Sequence, residues 1–442
     1  MSFFEHLKKY KNLNRTSFHT PGHKCNVKEF SSLLDYDLTE LPLTDSLYEA
    51  DGIIAELENE ISELFGSKKT LISCGGNTLC IQTMLCLCAG QGGKVVCDRV
   101  VHRSAVSAMA LLGIEPLWVP RKVDEESGLA QESDLVQIEH LLEQNSDVKA
   151  VYLTSPDYYG FLQNISKIAK LCHKYNVPLI VDNAHGSHLM FAQKELHPIS
   201  QGADMSADSV HKTLPVLTGG AWLHINNKKY INSAKDAMAI FGSTSPGYHT
   251  MASMDICKNW LKNNGKMQFD LLKNKVKNII NLASKAGIYT PRSKSQDPCR
   301  ITLGVWQLGY TGYEFRKHLY KFGIEPEFCD QNYVVLIPTP FNSDLDWQRL
   351  ELALQNCPKQ RNALKIFNSQ INLPEVCMGL REAMTVDIEA VKVGENLIGK
   401  IAAQIACPCP PGVPIVMPGE KITQTEIEAL KQYGITTINV VN

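Results

Sequence analysis

The residues best suited to chemistry lie in the stretch 206–220, Ser-Ala-Asp-Ser-Val-His-Lys-Thr-Leu-Pro-Val-Leu-Thr-Gly-Gly. It sets Lys212 beside His211 and between Ser209 and Thr213, in a run of small residues. A lysine becomes a nucleophile only when its ammonium gives up a proton easily, which requires burial or neighbouring cations. Upstream, Val177-Pro-Leu-Ile-Val181 reads as an apolar strand that runs into Asp182-Asn-Ala-His-Gly186. An aspartate at a strand end followed by a lysine on a glycine-rich turn suits an aldehyde cofactor with a basic ring nitrogen. The lysine makes the Schiff base, and the aspartate keeps the ring nitrogen protonated. A Ser-x-His-Lys run in a polar loop is common, so these residues need support from the rest of the chain.

That support comes from the elements that must position them. Leu71-Ile-Ser-Cys-Gly-Gly-Asn-Thr78 is a strand entering a glycine turn, with an apolar helix over 79–89 behind it. Outward-pointing amides at such a helix start make an anion site fit for a phosphate. An ordinary β–α turn favours the same residues, so this element alone leaves both readings open. From residue 94 strand and helix alternate: strands at 94–98, 116–119, 150–154, 178–182 and 221–225, helices at 102–112 and 165–175. Repeated β–α units predict a mostly parallel sheet covered on both faces, with ligands outside the carboxyl ends of its strands. The segments 75–78, 154–156, 182–185 and 209–212 all fall at such ends, and their convergence is the main argument for one site.

The chain has 442 residues, long for one core, so two or three units are expected. Residues 1–50 read as an arm crossing a surface, 51–285 as a large domain and 286–442 as a smaller C-terminal α/β domain. The Lys/Asn-rich 263–285 is the connecting helix. A formal charge of −2 gives no electrostatic reason to expect nucleic acid or an anionic membrane as partner. No apolar run has spanning length and the start is not a secretory signal, so a cytoplasmic protein is expected. Its fourteen cysteines then stay reduced, and the cluster Cys74, Cys80, Cys86, Cys88, Cys97 lacks paired Cys-x-x-Cys spacing. Cys407 and Cys409 bring no second ligand pair. No metal site is expected.

Eight motifs in chain order resemble those of the Orn/Lys/Arg decarboxylase family, a branch of the aspartate-aminotransferase-like enzymes that use pyridoxal 5'-phosphate. They are Thr20-Pro-Gly-His-Lys24, Gly75-Gly-Asn-Thr78, His102-Arg-Ser104, Thr154-Ser-Pro-Asp-Tyr-Tyr-Gly160, Val181-Asp-Asn-Ala-His-Gly186, Ser209-Val-His-Lys-Thr-Leu214, Ser243-Thr-Ser-Pro246 and Pro410-Pro-Gly-Val-Pro-Ile-Val-Met-Pro-Gly-Glu420. The resemblance implies the type I fold of such enzymes, with a mostly parallel seven-stranded sheet in the large domain. It implies that Lys212 binds the cofactor covalently and Asp182 bonds its ring nitrogen. His102 stacks on one face of the ring and Ala184 packs on the other. Gly76, Asn77, Thr78 and Ser209 hold the phosphate. His211 sits beside the lysine, and His185 is a substrate contact. Ser243 and Thr244 match a segment that crosses a homodimer interface to the neighbour's phosphate, and Glu420 matches an acid near the substrate's distal cation. Each has a plainer reading: His102 suits a helix start, Ser243 and Thr244 suit a helix cap, and Glu420 suits a surface turn. Asp45 and Glu49 are further candidate acids, ranked below Glu420.

The reaction implied is α-decarboxylation of a basic amino acid, arginine being slightly favoured over lysine and ornithine by analogy with enzymes that feed polyamine synthesis. Asn183 and Pro215 depart from the family pattern and bear on substrate choice and assembly. An aminotransferase would share the cofactor residues but needs an arginine gripping the α-carboxylate, for which Arg300 or Arg381 could be invoked. A non-catalytic regulatory relative is the other alternative, and retention of Lys212 and Asp182 argues against it.

Overall fold

The computed structural model describes residues 16–19, 22–24, 26–29, 38–40, 44–291, 295–360, 362–366, 373–407 and 414–442. Parts of two motifs, Thr20-Pro21 and 410–413, together with Cys409, lie outside the described residues.

The strands, in chain order, are β1 (Thr16–Phe18), β2 (Lys69–Ser73), β3 (Gly93–Asp98), β4 (Ile114–Val119), β5 (Arg121–Val123), β6 (Ala130–Ser133), β7 (Val148–Thr154), β8 (Leu179–Asp182), β9 (Met205–Asp208), β10 (Ala221–Ile225), β11 (Ile301–Gly304), β12 (Ile324–Pro326), β13 (Phe328–Cys329), β14 (Tyr333–Leu336), β15 (Ile388–Lys392) and β16 (Thr437–Val441). Seven form the central sheet, in the order β2-β10-β9-β8-β7-β3-β4. From β9 to β4 every pairing is parallel, and β10 alone runs antiparallel to both of its neighbours. The sheet strands are near-continuous apolar runs because helices cover both faces. Val95, Val96, Val151, Ile180 and Val181 are all fully buried.

The helices that matter for the site are α1 (Ile53–Phe65), α2 (Gly76–Ala89), α3 (Arg103–Leu112), α4 (Leu135–Gln144), α5 (Ile165–Lys174), α6 (Val210–Thr213), α7 (Tyr248–Trp260) and α8 (Lys266–Lys285). Helix α2 is apolar on nearly every face and is the buried one, whereas α5 is amphipathic and keeps its lysines outward. Asp134 caps α4 by accepting from the amides of Val136 and Gln137, which fixes where that helix starts. A one-turn π-helix, Leu261–Gly265, joins α7 to α8, so the expected connector begins as the continuation of α7.

Residues 286–442 hold two separate sheets. Strands β11, β14 and β13 form one, and β15 pairs with β16 in the other, which has its own small core around Leu397, Val416, Ile422 and Ile427. The N-terminal segment departs from the expected surface arm. β1 adds in parallel to β12, and Phe18 is fully buried, edge-on to Trp347 at 5.9 Å. Thr16 and Phe18 face inward on either side of Ser17, and burying Phe18 contributes about 2 kcal/mol. Further on, the Gly22 amide donates to the His211 carbonyl at 2.5 Å, and a Cβ at Gly22 would lie 2.5–2.7 Å from backbone atoms of Thr213 and Leu214. Only glycine allows this segment to lie against α6. No helix among the described residues is long and apolar enough to cross a membrane.

Candidate active site

A cavity of about 290 Å³ opens at the carboxyl ends of β2, β3, β7, β8 and β9. This is where a parallel α/β sheet gathers its loops. Gly76, Asn77, Thr78, His102, Asp182, Ala184, His185, Ser209, His211 and Lys212, ten of the expected site residues, line it.

Asp182 is the last residue of β8 and is 1% exposed. Its Oδ1 accepts from the Asn77 side-chain amide at 2.9 Å and from the Ala184 N–H at 3.1 Å, and its Oδ2 accepts from the Tyr152 hydroxyl at 3.2 Å. Burial raises its carboxyl above the ordinary range, opposed by Lys212 and these three donors. Lys212 follows one helical turn after β9. Burial lowers its ammonium below the usual lysine range, with Asp182 and Glu327 pulling the other way and Arg300 adding to the fall. Its Nζ lies 3.0 Å from Nε2 of His185. His185 is pushed well below the histidine range, by burial first and then by Lys212 and Arg300, so its ring is neutral and can accept from the ammonium.

His102 is both a helix start and a cavity residue. Its Nδ1 accepts from the Ser104 N–H at 3.2 Å, capping α3, and burial together with Lys212 and Arg103 lowers its pKa to about 4. A neutral ring suits stacking on an aromatic cofactor. His211 has a lowered pKa too, chiefly from burial, and its Nδ1 lies 3.0 Å from the Gly220 carbonyl. The histidine bonded to Lys212 is therefore His185, expected as a substrate contact, rather than His211.

Helix α2 starts at Gly76, whose φ of 68° makes the turn from β2 and whose N–H donates to the Gly219 carbonyl at 2.8 Å, and Gly76, Asn77 and Thr78 line the cavity. The Asn77 side chain is turned to Asp182, which leaves its backbone for the expected phosphate role. Two buried oxygens on the cavity wall, Asn77 Oδ1 and Thr154 Oγ1, have no hydrogen-bond partner among the described residues. A helix start, unpaired polar atoms, a buried carboxylate and a lysine of lowered pKa on one cavity fit a phosphorylated pyridine aldehyde.

Several expected residues lie elsewhere. Glu420 does not reach the cavity: it is 1% exposed, gripped by both guanidinium nitrogens of Arg99 at 2.5 and 2.7 Å, and also accepts from the Met417 N–H. A carboxylate sealed in a bidentate pair has no capacity left for a substrate cation in this chain. Asp45 caps α1, accepting from the amides of Gly52 and Ile54. Ser243 and Thr244 are exposed and off the cavity, and neither caps α7. Asn183 points behind the sheet to Asp208, away from the cavity. Arg381 donates to the carbonyls of Ala110 and Leu111 at the end of α3, while Arg300 is buried beneath His185, donating to its carbonyl at 3.3 Å. Neither lines the cavity.

The residues that sequence reasoning missed are aromatic. Tyr152 holds Asp182 from within β7, and Tyr158, Phe328 and Tyr333 wall the cavity. Tyr158 stands in the quoted 154–160 motif, but nothing local to β13 or β14 marks Phe328 or Tyr333.

The family model described as Orn/Lys/Arg decarboxylase, major domain, matches residues 1–288, and the model of that family's C-terminal domain matches 362–434. The chain is 30% identical to an arginine decarboxylase of Bacillus anthracis over 457 residues, covering 97% of this chain and 92% of the relative. It is also 30% identical to an arginine decarboxylase of Bacillus subtilis, with 95% and 91% coverage. Among solved structures, lysine decarboxylase A from Pseudomonas aeruginosa superposes with a TM-score of 0.79 at 18% identity, covering all of this chain and 80% of that one. The Francisella novicida lysine decarboxylase gives 0.78 at 17%, covering 98% and 77%. At such identities these two structures speak for the fold, the type I architecture of pyridoxal-phosphate decarboxylases.

Proposed function

The chain belongs to the Orn/Lys/Arg decarboxylase family, and from that premise we propose that it removes the α-carboxylate of a basic amino acid as carbon dioxide, using pyridoxal 5'-phosphate. The observation that carries this reading is that Lys212 and Asp182, one with a lowered pKa and one a buried carboxylate, face a single cavity that the start of α2 also lines. Arginine is the favoured substrate, supported by the relatives named arginine decarboxylase, and the amine product would feed polyamine synthesis.

In this reading the cofactor, when bound, supplies an electron sink for the pair left at Cα as the carboxylate departs. The protein's share is orientation and charge. Asp182, fixed by Asn77, Ala184 and Tyr152, bonds the ring nitrogen and keeps it protonated. His102 and Ala184 hold the ring from its two faces. Gly76, Asn77, Thr78 and Ser209 take the phosphate. Lys212 provides the amine that anchors the cofactor and, once released, returns a proton to Cα, with neutral His185 as its hydrogen-bond partner at 3.0 Å. The enzyme acts as a homodimer in the cytoplasm, with Ser243 and Thr244 of one subunit completing the phosphate site of the other.

The test is a mass-spectrometric product assay on cofactor-loaded protein given arginine, lysine or ornithine separately. Agmatine, cadaverine or putrescine is expected, with Lys212→Ala giving no amine and no borohydride-reducible bond to the cofactor. An oxo acid in place of an amine would mean transamination. Protein that binds the cofactor yet forms no amine from any of the three would overturn the basic-amino-acid reading.

A further inference from the structure

With Glu420 closed off, the cavity still needs a group to recognise the far end of a basic substrate. We propose that Asp330 is that group, the reader of the distal cation, an assignment that rests on the decarboxylase reading above.

The carboxylates that line the cavity are Asp157, Asp182 and Asp330. Asp182 faces the cofactor end. Asp157 is occupied by the amides of Tyr159 and Phe161 and lies 3.6 Å from the Arg121 guanidinium. Asp330, on the turn between β13 and β14, is 8% exposed and has no cationic partner among the described residues. Its bonds are all to neutral donors. Oδ1 accepts from the amides of Asn332 and Tyr333 at 2.7 and 2.6 Å, and Oδ2 accepts from the Tyr159 hydroxyl at 2.6 Å. A buried carboxylate satisfied only by neutral groups is the arrangement a docking cation improves most.

The path to it is walled by rings. Lys212 Nζ is 3.0 Å from His185, and the His185 ring is 4.5 Å from that of Tyr158. Tyr158 meets Phe328 at 5.6 Å, Phe328 meets Tyr159 at 5.7 Å, and Tyr159 ends on Asp330. The slot thus begins at the amine that exchanges with the substrate's own amine and ends at a negative charge. Aliphatic methylenes fit against such rings, and an ammonium or guanidinium is attracted to their faces. Burial raises the Asp330 carboxyl, and a cation beside it would oppose that rise.

Asp330 also closes its own turn, so the test must separate charge recognition from turn structure. Cofactor-loaded wild-type protein is titrated calorimetrically with cadaverine and with n-pentylamine, the same chain without the second ammonium. Wild type is expected to prefer cadaverine by about 10- to 100-fold, the range of a charged hydrogen bond. Asp330→Asn retains an oxygen for the two amides and is expected to bring the two amines within threefold of each other. Asp330→Glu keeps the charge one methylene further into the slot, and is expected to keep the preference while shifting it from cadaverine towards putrescine. A cadaverine preference that survives in Asp330→Asn overturns the assignment, as does a wild type with no preference. Carbon dioxide release is measured alongside. Release with an unchanged preference in Asp330→Asn sinks the assignment and leaves decarboxylation standing. A preference erased in that variant, while wild type releases no carbon dioxide from any of the amino acids, does the reverse.

Discussion

Asp182 and Asp208 close neighbouring strands of the same sheet, β8 and β9, and both are almost fully removed from solvent. Burial raises both carboxyls, yet they end on opposite sides of the ordinary carboxylate value. At Asp182 burial prevails, because the protein offers it Asn77, Ala184 and Tyr152 as neutral donors and places its cation, Lys212, across a cavity. At Asp208 the opposing effects prevail: His197 bonds Oδ2 at 2.9 Å, His224 stands 3.8 Å away, and Ser206 and Asn183 saturate Oδ1 at 2.7 and 2.9 Å. One carboxyl is left with capacity for a ligand, and the other is spent inside the fold. The contrast shows that residue type and depth do not mark a site. What marks it is whether the countercharge comes from the protein or is left to a ligand.

The comparison can be broken by trading the two roles. The largest effect is expected for Asp208→Asn, which strands His197 in the interior and should lower stability by about 3–5 kcal/mol, read from urea midpoints, with the kinetic constants of the folded fraction little changed. Asp208 has a folded pKa below its unfolded one. Its contribution is therefore complete above the ordinary carboxylate range and is lost as pH falls through the folded value. The stability gap between wild type and Asp208→Asn should accordingly narrow below about pH 4. A gap independent of pH there would mean that packing, not charge, accounts for the loss.

Asp182→Asn should do the opposite, cutting kcat by about 100-fold while shifting the urea midpoint little. If the two variants gave the same phenotype, the distinction between them would fall. The smallest effect is expected from Asn77→Ala, which removes one of the donors on Asp182: about tenfold in kcat/KM, with cofactor affinity nearly unchanged. A large loss of cofactor affinity instead would return the Asn77 side chain to the phosphate.

The strand–helix alternation from residue 93 to 225 was legible because buried strands and amphipathic helices carry opposite periodicities. The strand-end loops followed from that, and with them the placing of Lys212, Asp182 and the α2 turn on one cavity, whereas His102 entered only through the family resemblance. What escaped has a common physical cause, in that it depends on pairings made far along the chain. Glu420 has the right charge for a substrate contact, but only the fold shows that Arg99, 2.5 Å away, has already taken it. Sequence put His211 beside Lys212 and His185 at the substrate, and only the fold shows that His185 is the one within hydrogen-bond distance of the ammonium. Asn183 looked like a departure bearing on the substrate, yet strand alternation turns it to the sheet's other face, opposite to Asp182. Asp330 lies in a short turn with no motif around it.

The pairing of β1 with β12 has a consequence for how the protein is made. Residues 16–18 leave the ribosome well before their partners at 324–326, which follow roughly 300 residues later, some 15–60 s at ordinary translation rates. Until then Phe18 has no core to enter. Gly22, which braces the helix carrying Lys212, belongs to the same segment. A nascent chain halted after Lys212 but before β12 would therefore own its lysine and its aspartate without the strand that anchors their brace. Productive capture of the cofactor becomes an event of the finished chain.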